Sequence, residues 1–198
     1  MKADGGKKEM SKHLFARLLR GVRAGEAHLA WNHPAVCFVP SSIQLTSSAF
    51  APGAPIPVQY AGKGVGQNIS PALAWENLPE GTVELAMVME DPDVPLPRPF
   101  VHLVATAISP QLSGLPESAL SDGAAALGVR LGRGSFNRSD YTGPRALPGH
   151  GPHRYLFELF ALNRRLDFPV PPTRAQLMQA LHGVVIGRGQ LVGIFEQP

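Results

Sequence analysis

The stretch Met89–Leu103, MEDPDVPLPRPFVHL, follows directly on a mostly apolar run that covers Val83–Val88. An apolar run of this length predicts a buried strand, and the acidic residues and prolines after it predict a rigid turn. A second apolar run begins at Phe100, so His102 lies near the start of the next strand. The stretch is therefore a predicted hairpin with carboxylates at its turn, and it leads to both the fold class and the candidate site.

Similar patterns predict the other elements of the domain. Strands are predicted at Thr82–Met89, Phe100–Ile108, His153–Leu162 and Gln190–Glu196, with an edge strand between prolines at Ile56–Tyr60. A helix is predicted at Thr173–Leu181, where Thr173 is its cap and Gly183 its stop. Because the strands do not alternate regularly with helices, the sequence predicts a mainly β fold of antiparallel sheets with a few short helices.

The composition agrees with a fold of short strands. The chain of 198 residues contains 20 prolines and 21 glycines, both above the average usage of roughly 5% and 7%. This excess favours many turns over a helical bundle. The segment Asp122–Pro152 contains seven glycines and four arginines, and a loop of that length in a compact domain predicts an ordered lip around a site.

The positive charge is concentrated at the N-terminus. Residues 1–25 carry seven Lys/Arg and two Asp/Glu, whereas the other residues carry eleven Lys/Arg and thirteen Asp/Glu. We therefore predict a basic N-terminal extension, residues 1–40, and a domain, residues 41–198. Because the domain has no comparably basic face, the sequence does not predict nucleic-acid binding.

The extension contains a predicted amphipathic helix. Ser11 is its expected cap, and Leu14, Leu18 and Val22 recur at helical spacing with basic residues on the other side. One interpretation is peripheral contact of residues 1–25 with an anionic membrane. The other is docking of the apolar stripe on the chain's own domain or on a dimer mate.

Cysteine usage predicts the compartment. Cys37 is the single cysteine of the chain, so no intramolecular disulfide is expected and a reducing compartment fits. No window approaches the roughly 20 apolar residues of a membrane span, and no secretory signal is recognised. A cytoplasmic location is the resulting expectation.

Polar residues at strand ends form the candidate site. His153 and Tyr155 alternate with Arg154, so both point to the same side of their strand. With His102, they supply imidazole and phenol donors suited to an oxyanion, and the Gly143 N–H is a further expected donor.

Two carboxylates accompany these donors. Asp91 is expected to accept from one imidazole, fix its tautomer and raise the pKa of that ring so that it meets an anion as a cation. Asp93 is expected to bond backbone N–H groups within its own turn. Phosphate affinity should then fall as the pH rises through the imidazole pKa, about 6.5 when unperturbed.

Other chemistries have weaker support. A metal site from Asp91, His102, His150 and His153 is conceivable, but the two later histidines lie on a Gly/Pro loop and not on a helix face. No nucleophile elbow accompanies a serine, and Cys37 lies far from any catalytic signature. No pair of carboxylates is singled out for glycoside hydrolysis. No cofactor, metal or catalytic residue is therefore predicted.

At this point two motifs resemble those of a known family. Asp91-Pro-Asp-Val-Pro95 followed by His102 resembles the D-P-D-x-P…H signature of the phosphatidylethanolamine-binding proteins, also called Raf-kinase-inhibitor-like proteins, in their bacterial branch. Gly143-Pro144 through Gly149-His-Gly-Pro-His-Arg-Tyr155 resembles their G-P…G-x-H-R-Y signature. The resemblance extends over roughly residues 43–196.

The resemblance implies an antiparallel β-sandwich with a small anion pocket at one end. In the family, the equivalents of Asp91, His102, Gly143, His153 and Tyr155 line this pocket, which takes phosphate, phosphorylated head groups and similar anions, as a rule without turnover. It also makes Val94–Pro95 a candidate for a cis peptide bond and implies a homodimer.

Two positions depart from the family pattern. The lip Gly143-Pro-Arg-Ala-Leu-Pro-Gly149 stands where the family usually has a proline-rich G-P-x-P-P-x-G lip, and Leu103 follows the signature histidine where many relatives have tryptophan. Arg145 is expected to alter access to the pocket or add charge, and Leu103 to change the packing beside His102.

These expectations favour a non-enzymatic protein that binds a small anionic or phosphorylated ligand. Two alternatives stay open at this point. One is an interaction module that inhibits a kinase or protease, and the other is a small phosphate-handling enzyme with His153 as its base.

Overall fold

A computed structural model describes residues 18–197 of the chain. Within these residues two antiparallel sheets are present, one of three strands in the order β1-β2-β5 and one of five in the order β6-β4-β3-β7-β8. The strands are β1 Gln44–Thr46, β2 Leu73–Glu76, β3 Glu84–Asp91, β4 Phe100–Ile108, β5 Gly114–Leu115, β6 Arg130–Leu131, β7 His153–Leu162 and β8 Val185–Phe195. The prediction of a mainly β, antiparallel fold is confirmed.

The large sheet is covered on both faces. Leu85, Met87 and Met89 of β3 pack into a core shared with the small sheet. The alternate residues Ala86 and Val88 pack into a second core on the opposite face. All eight residues of β3 are buried, which explains why this strand is a continuous apolar run and not an alternating one.

The second face of the sheet is covered by the helix α1, Arg174–Ala180. The Thr173 side chain accepts a hydrogen bond from the Gln176 N–H, and the Gln176 side chain accepts one from the Thr173 N–H, which together form a capping box. Leu177 and Leu181 are fully buried in the second core, as their spacing predicts. Short 3-10 turns at Ala30–Asn32, Val58–Tyr60, Ala125–Leu127 and Ser135–Asn137 complete the described elements.

A β-bulge interrupts the pairing of β3 with β4 at His102. Met89 pairs with Leu103, and the next residue, Glu90, pairs with Val101, so His102 is the extra residue on β4. As a result, Leu103 packs in the first core, whereas Val101, two positions earlier, packs against the second. The bulge therefore takes His102 out of the regular alternation and allows its ring to reach β7.

Two expectations about local structure are wrong. The segment Ile56–Tyr60 is not an edge strand, because Val58–Tyr60 forms a 3-10 turn and only the Ile56 N–H bonds to a neighbouring strand, at Ile194. No peptide bond is cis among residues 18–197, so the Val94–Pro95 bond is trans. The segment Asp122–Pro152 is largely without regular structure, apart from β6 and two 3-10 turns.

The N-terminal extension lies against the large sheet where it is described. Ala30 and Val36 are buried in the second core. The predicted helix from Ser11 lies mostly outside the described residues, as do residues 1–17 of the proposed membrane contact. Leu18 and Val22, from the predicted docking stripe, are 76% and 48% exposed. Within residues 18–25, docking therefore does not use the apolar stripe.

None of the helices described is long and apolar enough to cross a membrane. The predicted cytoplasmic location stays a prediction.

Candidate functional site

Three of the predicted site residues meet where β3 and β7 come together. Asp91 is the last residue of β3, and His153 is the first residue of β7. Tyr155 follows two positions later and therefore faces the same side as His153, with the two rings stacked at 6.5 Å between centroids. All three side chains are at most 1% exposed. The predicted convergence of these side chains is present in the structure.

Asp91 uses its two carboxylate oxygens for different tasks. Oδ1 accepts a hydrogen bond of 2.8 Å from the Asp93 N–H and so holds the turn after β3. Oδ2 lies 2.7 Å from Nδ1 of His153. With Asp91 ionised, this contact places a proton on Nδ1 of His153 and leaves Nε2 as the nitrogen available to another partner.

His102 reaches the same site from β4 through the bulge. Its ring packs edge-on against Tyr155 at 5.1 Å between centroids. Nδ1 lies 2.7 Å from the Thr142 carbonyl oxygen, which can only accept, so Nδ1 carries the proton. Burial lowers the pKa of His102, partly offset by the charge of Asp91. A neutral His102 leaves Nε2 as an acceptor, so this ring is not the oxyanion donor that the sequence predicts.

The Tyr155 hydroxyl is fixed by the lip loop. It accepts a hydrogen bond of 3.1 Å from the Arg145 N–H, and its own proton can be donated either to the nearby Asp91 carboxylate or to a ligand. Burial raises the pKa of Tyr155 well above its ordinary value, and the nearby Asp91 carboxylate adds to the effect. The phenol therefore stays protonated and acts as a donor.

Gly143 lies at the site, but its role differs from the expected one. Its N–H donates to Oδ1 of Asn68 at 2.9 Å and is not available to an anion. A Cβ at this position would lie 2.2 Å from the Tyr60 carbonyl oxygen and 2.8 Å from the Gly62 nitrogen. Glycine is therefore required because two loops approach each other closely here.

Asp93 also has a different role from the predicted one. It does not bond N–H groups of its own turn but accepts from the backbone N–H, Nε and Nη2 of Arg154 at 2.8 to 2.9 Å. Arg23 adds a contact of 2.9 Å to Oδ1, the oxygen that Nη2 of Arg154 also contacts. Burial by itself would raise the pKa of Asp93, but the hydrogen bonds and charges of the two arginines lower it to about 2.

One residue of the site was considered only as a metal ligand in the sequence. Nδ1 of His150 lies 2.8 Å from Nε2 of His153, and Nε2 of His150 lies 2.8 Å from the Leu19 carbonyl oxygen. His150 is 1% exposed. The Gly-x-His motif brings it three residues before His153, but its partner Leu19 is 131 positions away. No local pattern predicts that contact.

The site therefore offers one fixed donor, one acceptor and one nitrogen occupied by a side chain. The Tyr155 hydroxyl donates, Nε2 of His102 accepts, and Nε2 of His153 faces His150. Within residues 18–197 no cluster of three His, Cys, Asp or Glu side chains has an arrangement that could hold a metal ion. The polar groups are suited to a small oxyanion that can replace His150 at His153.

The chain is similar to several known proteins. A model of the phosphatidylethanolamine-binding protein family matches residues 46–196. The protein LppC from Mycobacterium tuberculosis is 37% identical over 154 residues, which are 78% of this chain and 72% of LppC.

Two solved structures are similar to the chain. Escherichia coli YbcL, described as a member of the mammalian PEBP family, has a TM-score of 0.73 and 27% identity, with 80% of this chain and 100% of YbcL covered. CT736 of Chlamydia trachomatis, described as a homologue of phosphatidylethanolamine-binding protein, has a TM-score of 0.71 and 31% identity, with 80% and 99% covered. With a family match over most of its length and solved relatives of the same fold, the chain belongs to the phosphatidylethanolamine-binding protein family, in its bacterial branch.

Proposed function

We propose that this protein binds a small oxyanion, such as phosphate or a phosphorylated head group, at Asp91, His102, His153 and Tyr155, without turning it over. The observation that carries the proposal is the meeting of the Asp91–His153 pair with the rings of Tyr155 and His102 in one buried place. Four polar side chains from three strands are costly to bury together, and a recognised ligand accounts for them.

The hydrogen-bonding pattern favours a singly protonated phosphate or phosphate ester. Such an anion has unprotonated oxygens that accept from the Tyr155 hydroxyl and from an imidazolium at His153. Its remaining P–OH group donates to the bare nitrogen of His102, which burial keeps neutral. The Asp91 carboxylate does not face the anion directly, because it is occupied by His153 and by the turn.

Binding requires a change at the site. The four side chains are at most 5% exposed, and His150 occupies the nitrogen of His153 that an anion needs. Displacement of His150 therefore accompanies binding. Gly143 contributes the close packing of the lip, with its N–H directed to Asn68.

The test is thermal stabilisation of the full-length protein by inorganic phosphate. A ligand present at 100 times its Kd stabilises the folded state by about 2.7 kcal/mol. We expect the wild-type protein to be stabilised at pH 6, and Tyr155→Phe and His102→Ala to lose most of the effect. His28→Ala is the matched control, since this histidine is exposed and is not one of the four proposed ligand-binding residues.

The His150→Ala variant completes the design, because it vacates the nitrogen of His153. Stabilisation that survives in Tyr155→Phe and His102→Ala would place the anion elsewhere. If phosphate stabilises neither the wild-type protein nor His150→Ala, the proposed binding function is refuted. Release of phosphate from phosphomonoesters that disappears in His153→Ala would contradict the part of the proposal that excludes turnover.

A further inference from the structure

Residues 19–25, here called the strap, lie across the rim of the candidate site. The Leu19 carbonyl oxygen contacts His150, and Nε of Arg20 donates to the Gly149 carbonyl oxygen at 2.9 Å. Arg23 contacts the Pro152 carbonyl oxygen and Asp93. At the end of the strap, the N–H groups of Ala24 and Gly25 donate to Val94 and Pro92 at 2.9 Å each. The strap therefore ties together the two loops that carry the family motifs.

The connection from the strap to the site is a chain of four groups, from Asp91 through His153 and His150 to the Leu19 carbonyl. The carbonyl oxygen of Leu19 only accepts, so Nε2 of His150 carries a proton. The Asp91 carboxylate only accepts, so Nδ1 of His153 carries a proton. A neutral imidazole has a single N–H.

The contact between His150 and His153 then lacks a proton. With both rings neutral, Nδ1 of His150 and Nε2 of His153 would face each other at 2.8 Å with two lone pairs and no proton. One additional proton converts this repulsion into a charge-assisted hydrogen bond, and Asp91 balances its charge. The number of protons is the same if the extra proton lies on Asp91. The Asp91 carboxyl then donates to Nδ1 of His153, and the Nε2–H of His153 donates to Nδ1 of His150. A second additional proton would put two N–H groups face to face and break the contact.

We propose that the strap closes the candidate anion site from within the chain, and that His150 is a latch which holds only while His150 and His153 share one proton. The inference rests on the proposed function, since it concerns access of an anion to the same nitrogen of His153. His150 acts as a positioning residue for the strap and not as a ligand of the anion.

The charged and titratable groups around the latch come from every adjacent element. Asp91 at the end of β3 faces His153, and His102 on β4 and Tyr155 on β7 lie behind it. Arg20 and Arg23 lie on the strap side and, like Asp93, are engaged in other contacts. Because both arginines belong to the strap, they move with it when the latch opens, and the groups that remain to bind an anion are those of His153, His102 and Tyr155.

The proton count gives the latch a distinct dependence on pH. An imidazole released into water has a pKa of about 6.5, so below that pH the displaced side chain takes up a proton when the anion binds. The closed state does not take up that proton. Acid therefore opens the latch, because a second additional proton cannot be held between the two facing nitrogens of His150 and His153.

Titration calorimetry with inorganic sulfate tests the latch, since sulfate keeps the same charge between pH 5 and 8. Sulfate has no proton to donate to His102, so it should bind more weakly than phosphate in every variant, and the test compares the variants with one another. Below about pH 6.5 we expect the affinity of the wild-type protein to rise about tenfold for each unit that the pH falls. His150→Ala should lack this rise, and near pH 7 it should bind sulfate at least about tenfold more tightly than the wild type, because no charge-assisted hydrogen bond has to be broken. His28→Ala should match the wild type.

A second measurement does not need a ligand. Amide hydrogen exchange at pH 6 should show that Ala24 and Gly25 lose protection by about tenfold or more in His150→Ala, whereas β3 amides do not. Arg20→Ala, a surface change that keeps the buried site intact, should loosen the same two amides.

The outcomes separate the two ideas. Equal sulfate affinity and equal slopes in the wild type and His150→Ala overturn the latch but leave anion binding in place. Absence of sulfate and phosphate binding in both proteins refutes the proposed function, and the exchange data then decide the latch alone. Unchanged protection of Ala24 and Gly25 in both His150→Ala and Arg20→Ala overturns the closure.

Discussion

Replacing Asp93 by asparagine tests the clamp that joins the turn after β3 to β7 and to the strap. The pKa of Asp93 is lowered from 3.8 to about 2 in the folded protein, and each pKa unit corresponds to about 1.4 kcal/mol. The ionised form therefore contributes about 2 kcal/mol to the free energy of unfolding at neutral pH. Asp93→Asn removes this contribution and replaces one carboxylate oxygen by an NH2 group, which cannot accept a hydrogen bond from Arg154.

The expected result is a fall in Tm of roughly 4–8 °C at pH 7, since about 1 kcal/mol corresponds to about 2–4 °C for a chain of this size. The pKa is lower in the folded state, so the contribution of the carboxylate is fully present above about pH 4 and is lost as the pH falls through about 2. The difference between the two proteins should therefore shrink between pH 5 and pH 2.5. Differential scanning calorimetry across this range measures it.

Asp140→Asn is the matched control. Asp140 also receives two hydrogen bonds from one arginine, Arg138, but both side chains are 44% to 47% exposed. Exposed pairs contribute about 0.2–1 kcal/mol, so this variant should lose little stability. A Tm difference for Asp93→Asn that equals the control, or that stays constant down to pH 2.5, would contradict the argument that burial makes the Asp93 clamp strong.

Two further substitutions test the packing at the lip and the second core. Gly143→Ala should cost about 1–3 kcal/mol of stability, because its Cβ would lie 2.2 Å from the Tyr60 carbonyl oxygen. Gly21→Ala is the control and should be nearly neutral, since a Cβ at this position would meet no atom within 4 Å. Equal urea midpoints for the two variants would contradict this prediction. Glu158→Gln should flatten the pH dependence of stability. Burial and then the charge of Glu90 raise the pKa of Glu158, so its protonated form stabilises the fold at low pH and this stability is lost as the pH rises through the folded pKa. Parallel urea titrations of both proteins from pH 5 to 9 measure the difference, and identical slopes would disprove it.

The candidate site is built from residues that the sequence identifies one at a time. The alternation along β7 predicts that His153 and Tyr155 share a face, and the turn after β3 predicts a carboxylate at the strand end. Both follow from local geometry, and both are present in the structure. The capping box of α1 is local in the same sense, since Thr173 and Gln176 are one helical turn apart.

Roles that depend on partners elsewhere in the chain were not predicted correctly. Gly143 was expected to donate to an anion, but Asn68, 75 positions earlier, accepts its hydrogen bond. Asp93 was expected to serve its own turn, but Arg154, 61 positions later, takes its oxygens. In each case the residue type indicates a polar or tight position, and only the packing of distant loops selects the partner.

The sequence by itself determined the long strands β3, β4 and β7, the direction of side chains along them and the two motifs that indicate the family, because these depend on neighbours within a few residues. Only the tertiary structure decided which groups meet at the site. A one-residue bulge turns His102 toward Tyr155, and the fold brings the Leu19 carbonyl to His150 across 131 positions. Pairing register and long-range docking depend on the packing of whole sheets and loops, so they cannot be predicted from a short stretch of sequence.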